Sequence, residues 1–118
     1  MSVFERIVRH GNRHRPHGGE FKSSENKIVC QDGFRVSVIA GWGCYSDPRE
    51  DLQFGYDEVL GPFYAVEVGF PTERPEPWDT WREYADSTQD DPTKTVYGYV
   101  PTEMVRALIE THGGEVAA

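Results

Sequence analysis

The sequence predicts an α+β fold: a single domain over residues 1–118, built on an antiparallel sheet of about four strands with two to three helices. Three observations carry this reading. A chain of 118 residues can bury roughly two thirds of its unfolded surface around one core, but has too little material for two. Strand-like alternation and helix-like three-to-four spacing occupy separate short segments that follow one another along the chain. Asp32 and Gly33 stand between two β-rich runs, and an Asp-Gly pair supplies the positive φ of a tight antiparallel turn.

In order, Ser2 followed by Glu5 fits a capping box, and Val3, Phe4, Ile7 and Val8 share a face, so residues 2–10 form a short amphipathic helix ending at Gly11. Residues 11–19 hold too much glycine and proline for regular structure and read as an exposed basic loop. Strands follow over residues 28–30 and 34–40. In the second, Phe34, Val36 and Val38 alternate with Arg35 and Ser37, which gives one core face and one wet or covered face. Residues 41–61 lack periodicity and make a long connection with a short turn of helix near 47–52. A strand over 62–70 places Tyr64, Val66, Val68 and Phe70 on one side and Glu67 on the other. Pro77 opens a helix over 78–85, with Trp78, Trp81 and Ala85 on a shared face. A polar loop over 86–94 precedes a strand over 95–100. The helix over 102–112 is striped by Met104, Val105, Leu108 and Ile109 and capped by Gly113. Residues 115–118 are expected to fray.

Composition narrows the function. With 37% hydrophobic and 13% aromatic residues, the chain is too apolar to stay disordered despite a net charge of −8. No basic stretch leads into an apolar run near residue 1, and no segment approaches roughly 18 apolar residues, so neither secretion nor membrane insertion is expected. Cys30 and Cys44 are too few for a disulfide scaffold and suit a reduced cytoplasmic compartment. Residues 1–17 hold Arg6, Arg9, Arg13 and Arg15 against Glu5, a balance of +3 that leaves −11 on residues 18–118. Such a body repels nucleic acid and favours a basic protein surface, so a protein or ribonucleoprotein partner is expected and no direct binding of nucleic acid.

Catalytic and metal patterns are weak. His10, His14 and His17 could hold zinc only if brought together, and Gly11 and Pro16 forbid the helix that would do so, while the interleaved arginines oppose a dication. The same arginines could grip phosphate or an acidic patch, the chain's own included. Cys44 with His112 is the one formal Cys/His pair. There is no Gly-x-Ser-x-Gly, no phosphate loop and no His-Glu-x-x-His, and Gly41-Trp-Gly43 makes no dinucleotide fingerprint. No catalytic residue, metal or cofactor is assigned, and no enzyme activity is expected.

The acids cluster twice: Asp47, Glu50, Asp51, Asp57 and Glu58, then Glu73, Glu76, Asp79, Glu83, Asp86, Asp90 and Asp91. Carboxylates at this density keep loops solvated, or imitate phosphates and occupy an arginine-lined channel on another protein. Trp42, Tyr45, Phe54, Tyr56, Trp78, Trp81 and Tyr84 lie in or beside these stretches. Those left exposed would be anchors with a charged rim. The candidate partner-binding residues are therefore Glu73, Glu76, Asp79, Glu83, Asp86, Asp90, Asp91, Asp47, Glu50 and Asp51, with Trp42, Trp78 and Trp81 as aromatic anchors.

The phrases Asp32-Gly-Phe-Arg-Val-Ser-Val, Ala65-Val-Glu-Val-Gly-Phe-Pro71, Thr95-Val-Tyr-Gly-Tyr-Val-Pro101 and Leu108-Ile-Glu-Thr-His-Gly-Gly114 resemble small accessory proteins of temperate phages and prophages. The resemblance spans most of the chain from Cys30 onward and brings no catalytic residues. It implies a context in the host cytoplasm, where small acidic phage proteins bind host machinery, the anti-CRISPR proteins among them. The expected function is a non-enzymatic inhibitor that binds a host defence complex and blocks a nucleic-acid or subunit site. The alternatives are a small metal- or thiol-dependent enzyme using His10, His14, His17 or Cys44, and a self-assembling phage accessory protein.

Overall fold

Ser2 Oγ accepts the Glu5 N–H at 3.1 Å and opens helix α1 (Val3–His10), which Gly11 ends at φ 72°. This computed structural model describes residues 2–17, 20–23, 25–49 and 61–116. Glu5 does not close the capping box with its own side chain. It is drawn instead to Arg106, at 2.7 Å and 3.1 Å, because a guanidinium fork matches both carboxylate oxygens.

The segment 11–19 departs from expectation. Residues Arg13–His17 form strand β1, antiparallel to β2 (Glu20–Ser23). Pro16 is tolerated because it falls between His14 and His17, where the register of this two-stranded sheet shifts and proline forfeits no ladder bond. The pair is anchored by Asn12, which is 1% exposed. Its side chain donates to the carbonyls of Val38 at 2.8 Å and Glu25 at 3.1 Å, and accepts the Ala40 N–H at 2.9 Å. A buried amide is stable there because each of its polar atoms is satisfied.

The main sheet is an antiparallel meander, β3 (Lys27–Val29), β4 (Arg35–Ile39), β5 (Ala65–Gly69) and β6 (Val96–Pro101), in that spatial order. The Asp32–Gly33 turn forms as expected: Gly33 takes φ 92°, and Asp32 Oδ1 accepts the Phe34 N–H at 2.9 Å. Ile28, Val36, Val38, Val66, Val68, Tyr97 and Val100 face one side and are buried. There they meet Phe4, Ile7 and Val8 of α1, and Val105, Leu108 and Ile109 of helix α3 (Thr102–Thr111). The fold is α+β, with α1 against β3 and β4 and α3 against β6.

Other differences are local. The expected stripe of β5 holds at Val66 and Val68, but Tyr64 and Phe70 are 65% and 60% exposed. Tyr64 precedes the strand, and Phe70 turns out of it at φ 51°. The helix expected over 78–85 is α2 (Trp78–Trp81) followed by a 3₁₀ turn, Arg82–Tyr84. Residues 47–49 are not helical, since the Asp47 backbone pairs with Ala65; the rest of that expected turn lies outside the described residues.

Glu115 and Val116 are tied down, contrary to the expected fraying. Glu115 accepts the Val3 and Phe4 N–H groups at 2.8 Å and 3.3 Å, and the Val116 N–H bonds to the Val29 carbonyl at 2.8 Å. A carboxylate at the start of α1 satisfies open donors and complements the helix dipole. Residues 117–118 lie outside the described set. No helix among the described residues is long and apolar enough to cross a membrane.

Candidate partner-binding surface

The acidic stretch runs from the end of β5 to the start of β6, held by few backbone bonds to the sheet, such as Asp86 N–H to the Val96 carbonyl at 2.8 Å. Glu73, Glu76, Asp79, Glu83, Asp86, Asp90 and Asp91 are all exposed. Three of them have local partners. Glu76 accepts from Arg74 Nε at 2.8 Å and from the Trp78 N–H at 3.0 Å, and these bonds hold its carboxyl below the usual range. Asp91 accepts from the hydroxyl and N–H of Thr93, which likewise depress it. Glu73 Oε1 lies 3.5 Å from His112 Nε2. Asp79, Glu83, Asp86 and Asp90 enter no ion pair or side-chain hydrogen bond among the described residues.

Beside Glu83 and Asp86 lies a concavity of about 460 Å³ walled by Tyr45, Tyr84 and Tyr99. Its geometry comes from a bulge in β6. Val66 pairs with Val100 and Val68 with Tyr97, so β6 carries one extra residue between them, and Tyr99 takes φ 54°. A bulge re-aims side chains, and here it leaves both Tyr97 and Val100 in the core while Tyr99 meets Tyr45, ring centroids 5.8 Å apart. Gly98 permits the approach: a Cβ there would stand 3.1 Å from that of Tyr45. Arg49 clamps the pair, bonding the Tyr99 hydroxyl at 2.7 Å and lying 5.6 Å from the Tyr45 ring centroid. Tyr45 remains 46% exposed.

The structure distributes the expected anchors differently. Trp81 is 1% exposed and packs edge-on against Tyr97, so it belongs to the core and presents no surface to a partner. Trp78 is half-buried, with the Arg74 guanidinium 5.8 Å from its ring centroid and its ring edge-on to Tyr97 of the core. Trp42 stands on the loop after β4, its N–H bonded to the Arg13 carbonyl at 3.0 Å, and so is placed by β1. Asp47 is half-buried and bound through its backbone to Ala65. Glu50, Asp51, Phe54, Tyr56, Asp57 and Glu58 lie outside the described residues. The rings that line the hollow beside Glu83 and Asp86 are tyrosines. Of these Tyr99 escaped the sequence reading, and the only signal for it was glycine inside a strand pattern.

No family model, curated protein or solved structure matches the chain.

Outside this surface, Cys30, Asp32 and His112 are held in contacts between the hairpin turn and the C-terminal segment. Cys44 and His112 sit beyond opposite ends of β4, since His112 stacks on Phe34 at 3.9 Å while Cys44 follows Gly41. Five strand residues, about 17 Å, lie between. His112 Nδ1 is 2.7 Å from Asp32 Oδ2, which joins α3 to the hairpin turn. Burial, with Asp32 and Glu115 nearby, pushes the Cys30 thiol up to about 11, so it stays protonated near neutrality. Among the described residues no three His, Cys, Asp or Glu groups are placed to hold a metal ion, and the His17 side chain lies outside them.

Proposed function

We propose that the protein is a binding module of the phage-inhibitor type, acting without catalysis in the host cytoplasm by occupying a basic nucleic-acid or subunit site on a host defence complex such as a CRISPR effector. One observation carries the reading: Asp79, Glu83, Asp86 and Asp90 are exposed carboxylates without side-chain partners among the described residues, and Glu83 and Asp86 border a tyrosine-walled hollow that an arginine-bearing partner can enter. Unpaired charge at an exposed rim raises association rate and specificity, and aromatic anchors supply the affinity. The resemblance to phage accessory proteins supplies the class of partner.

The test is competition between the protein and a labelled oligonucleotide for a purified defence complex, at low and raised salt. Displacement should weaken as salt rises. Reversing Asp79, Glu83, Asp86 and Asp90 to lysine should abolish it while circular dichroism stays unchanged. A folded reversal variant that inhibits as well as the original protein would remove the acidic surface from the mechanism.

A further inference from the structure

One face of the main sheet carries a feature of opposite sign. A groove of about 610 Å³ crosses it, lined by Lys27 of β3, Arg35 and Ser37 of β4, Gly69 of β5 and Val96 of β6. Lys27 pairs with Ser37, Ser37 with Gly69 and Gly69 with Val96. The floor is therefore one cross-strand row whose two middle positions are small. Adding a Cβ at Gly69 would bring it to 3.3 Å from Val96 Cγ1, so a larger side chain there fills the floor. Four strands about 4.8 Å apart make the groove about 14 Å long, more than one nucleotide unit occupies.

The charge along it is basic. Lys27 and Arg35 are exposed, lie diagonally on neighbouring strands, and enter no ion pair among the described residues. Arg13 lines the same groove. The carboxylate in the lining, Glu67, accepts the Tyr45 N–H at 2.9 Å and is engaged by that loop. Phe70 lines the same groove at a positive φ, just past the end of the strand, and is 60% exposed. The net charge of −8 does not decide binding here, because at about 0.1 M salt charges more than about 10 Å apart are largely screened.

We propose that this groove binds single-stranded nucleic acid, with backbone phosphates on Lys27 and Arg35 and a base stacked on Phe70. Cations that track a backbone beside an aromatic platform are the elements by which strands are held without sequence readout. The inference stands apart from the acidic surface and goes beyond the inhibitor reading, which needs no nucleic acid on this chain.

Fluorescence anisotropy of a labelled oligothymidylate with the whole protein tests it. Two phosphate contacts should give a log–log salt slope of about −1.4. Lys27→Gln with Arg35→Gln should weaken binding about tenfold or more, and Phe70→Ala about fivefold or more. All three side chains face solvent, so the fold should survive. Gly69→Val, which fills the floor without changing charge, should also weaken binding, and a thermal melt checks that the variant is folded. The Asp79, Glu83, Asp86 and Asp90 reversal leaves the groove intact and should not lose strand binding, which separates this inference from the inhibitor reading. No binding at low salt, equal binding by the double glutamine variant, or a thymidine mononucleotide bound as tightly as the strand would each overturn the proposal.

Discussion

The acidic surface and the basic groove differ in how they are made. The carboxylates from Glu73 to Asp91 crowd one stretch of chain, and all stay exposed because that stretch pairs only sparsely with the sheet. In the groove, Lys27 and Arg35 are joined to Gly69 and Phe70 only by strand pairing across β3, β4 and β5. A surface built from neighbouring residues persists through changes of local conformation. One built from register vanishes if a strand slips by a residue, since every side chain then moves to the other face.

The sharpest way to break this division is to compare anchors. Trp81→Ala should cost about 3–5 kcal/mol, because the side chain is fully buried, and should lower Tm by more than about 10 °C. Tyr45→Ala should leave Tm nearly unchanged yet weaken competition for the defence complex. Similar Tm losses in the two variants would mean that the tyrosine hollow is core in disguise.

Asn12→Leu should cost about 3 kcal/mol, since three backbone bonds are lost at a buried site. Hydrogen exchange would register it as lost protection of the Ala40 amide. A smaller effect is expected at the start of α1: Glu115→Ala should cost about 1 kcal/mol in urea unfolding, by removing the acceptor of the Val3 and Phe4 N–H groups. An unchanged midpoint would return residue 115 to the frayed set.

The smallest effect is one of pH. The Phe34 N–H and His112 hold the Asp32 carboxyl below its ordinary 3.8. A depressed carboxyl adds stability above its unfolded value, and that contribution disappears as pH falls through the folded value. The acid limb of Tm below about pH 4 should therefore be shallower in Asp32→Asn than in the original protein. Parallel limbs would show that the hairpin–α3 contact does not depend on this charge.

Much of the architecture was legible. Periodicity located α1, α3 and the β3–β4 hairpin, because each rests on local rules: capping, apolar spacing and an Asp-Gly turn. The strand at Arg13–His17 was hidden because Pro16 and the glycines argue against regular structure, and the register shift that accommodates proline is set by the partner strand. Trp81 read as a possible anchor because composition cannot separate a buried aromatic from an exposed one. Tyr99 was hidden because its direction depends on a bulge.

By itself, then, the sequence determined the α+β class, the order of most elements and the dense acidic stretch, all of which follow from residues near one another in the chain. The tertiary structure alone decided which aromatics are surface, how Glu115 caps a helix 112 residues away, and how Lys27, Arg35, Gly69 and Phe70 come to share a groove. Those depend on strand register and helix docking, which arise from the summed burial of the whole core and from no single segment of it.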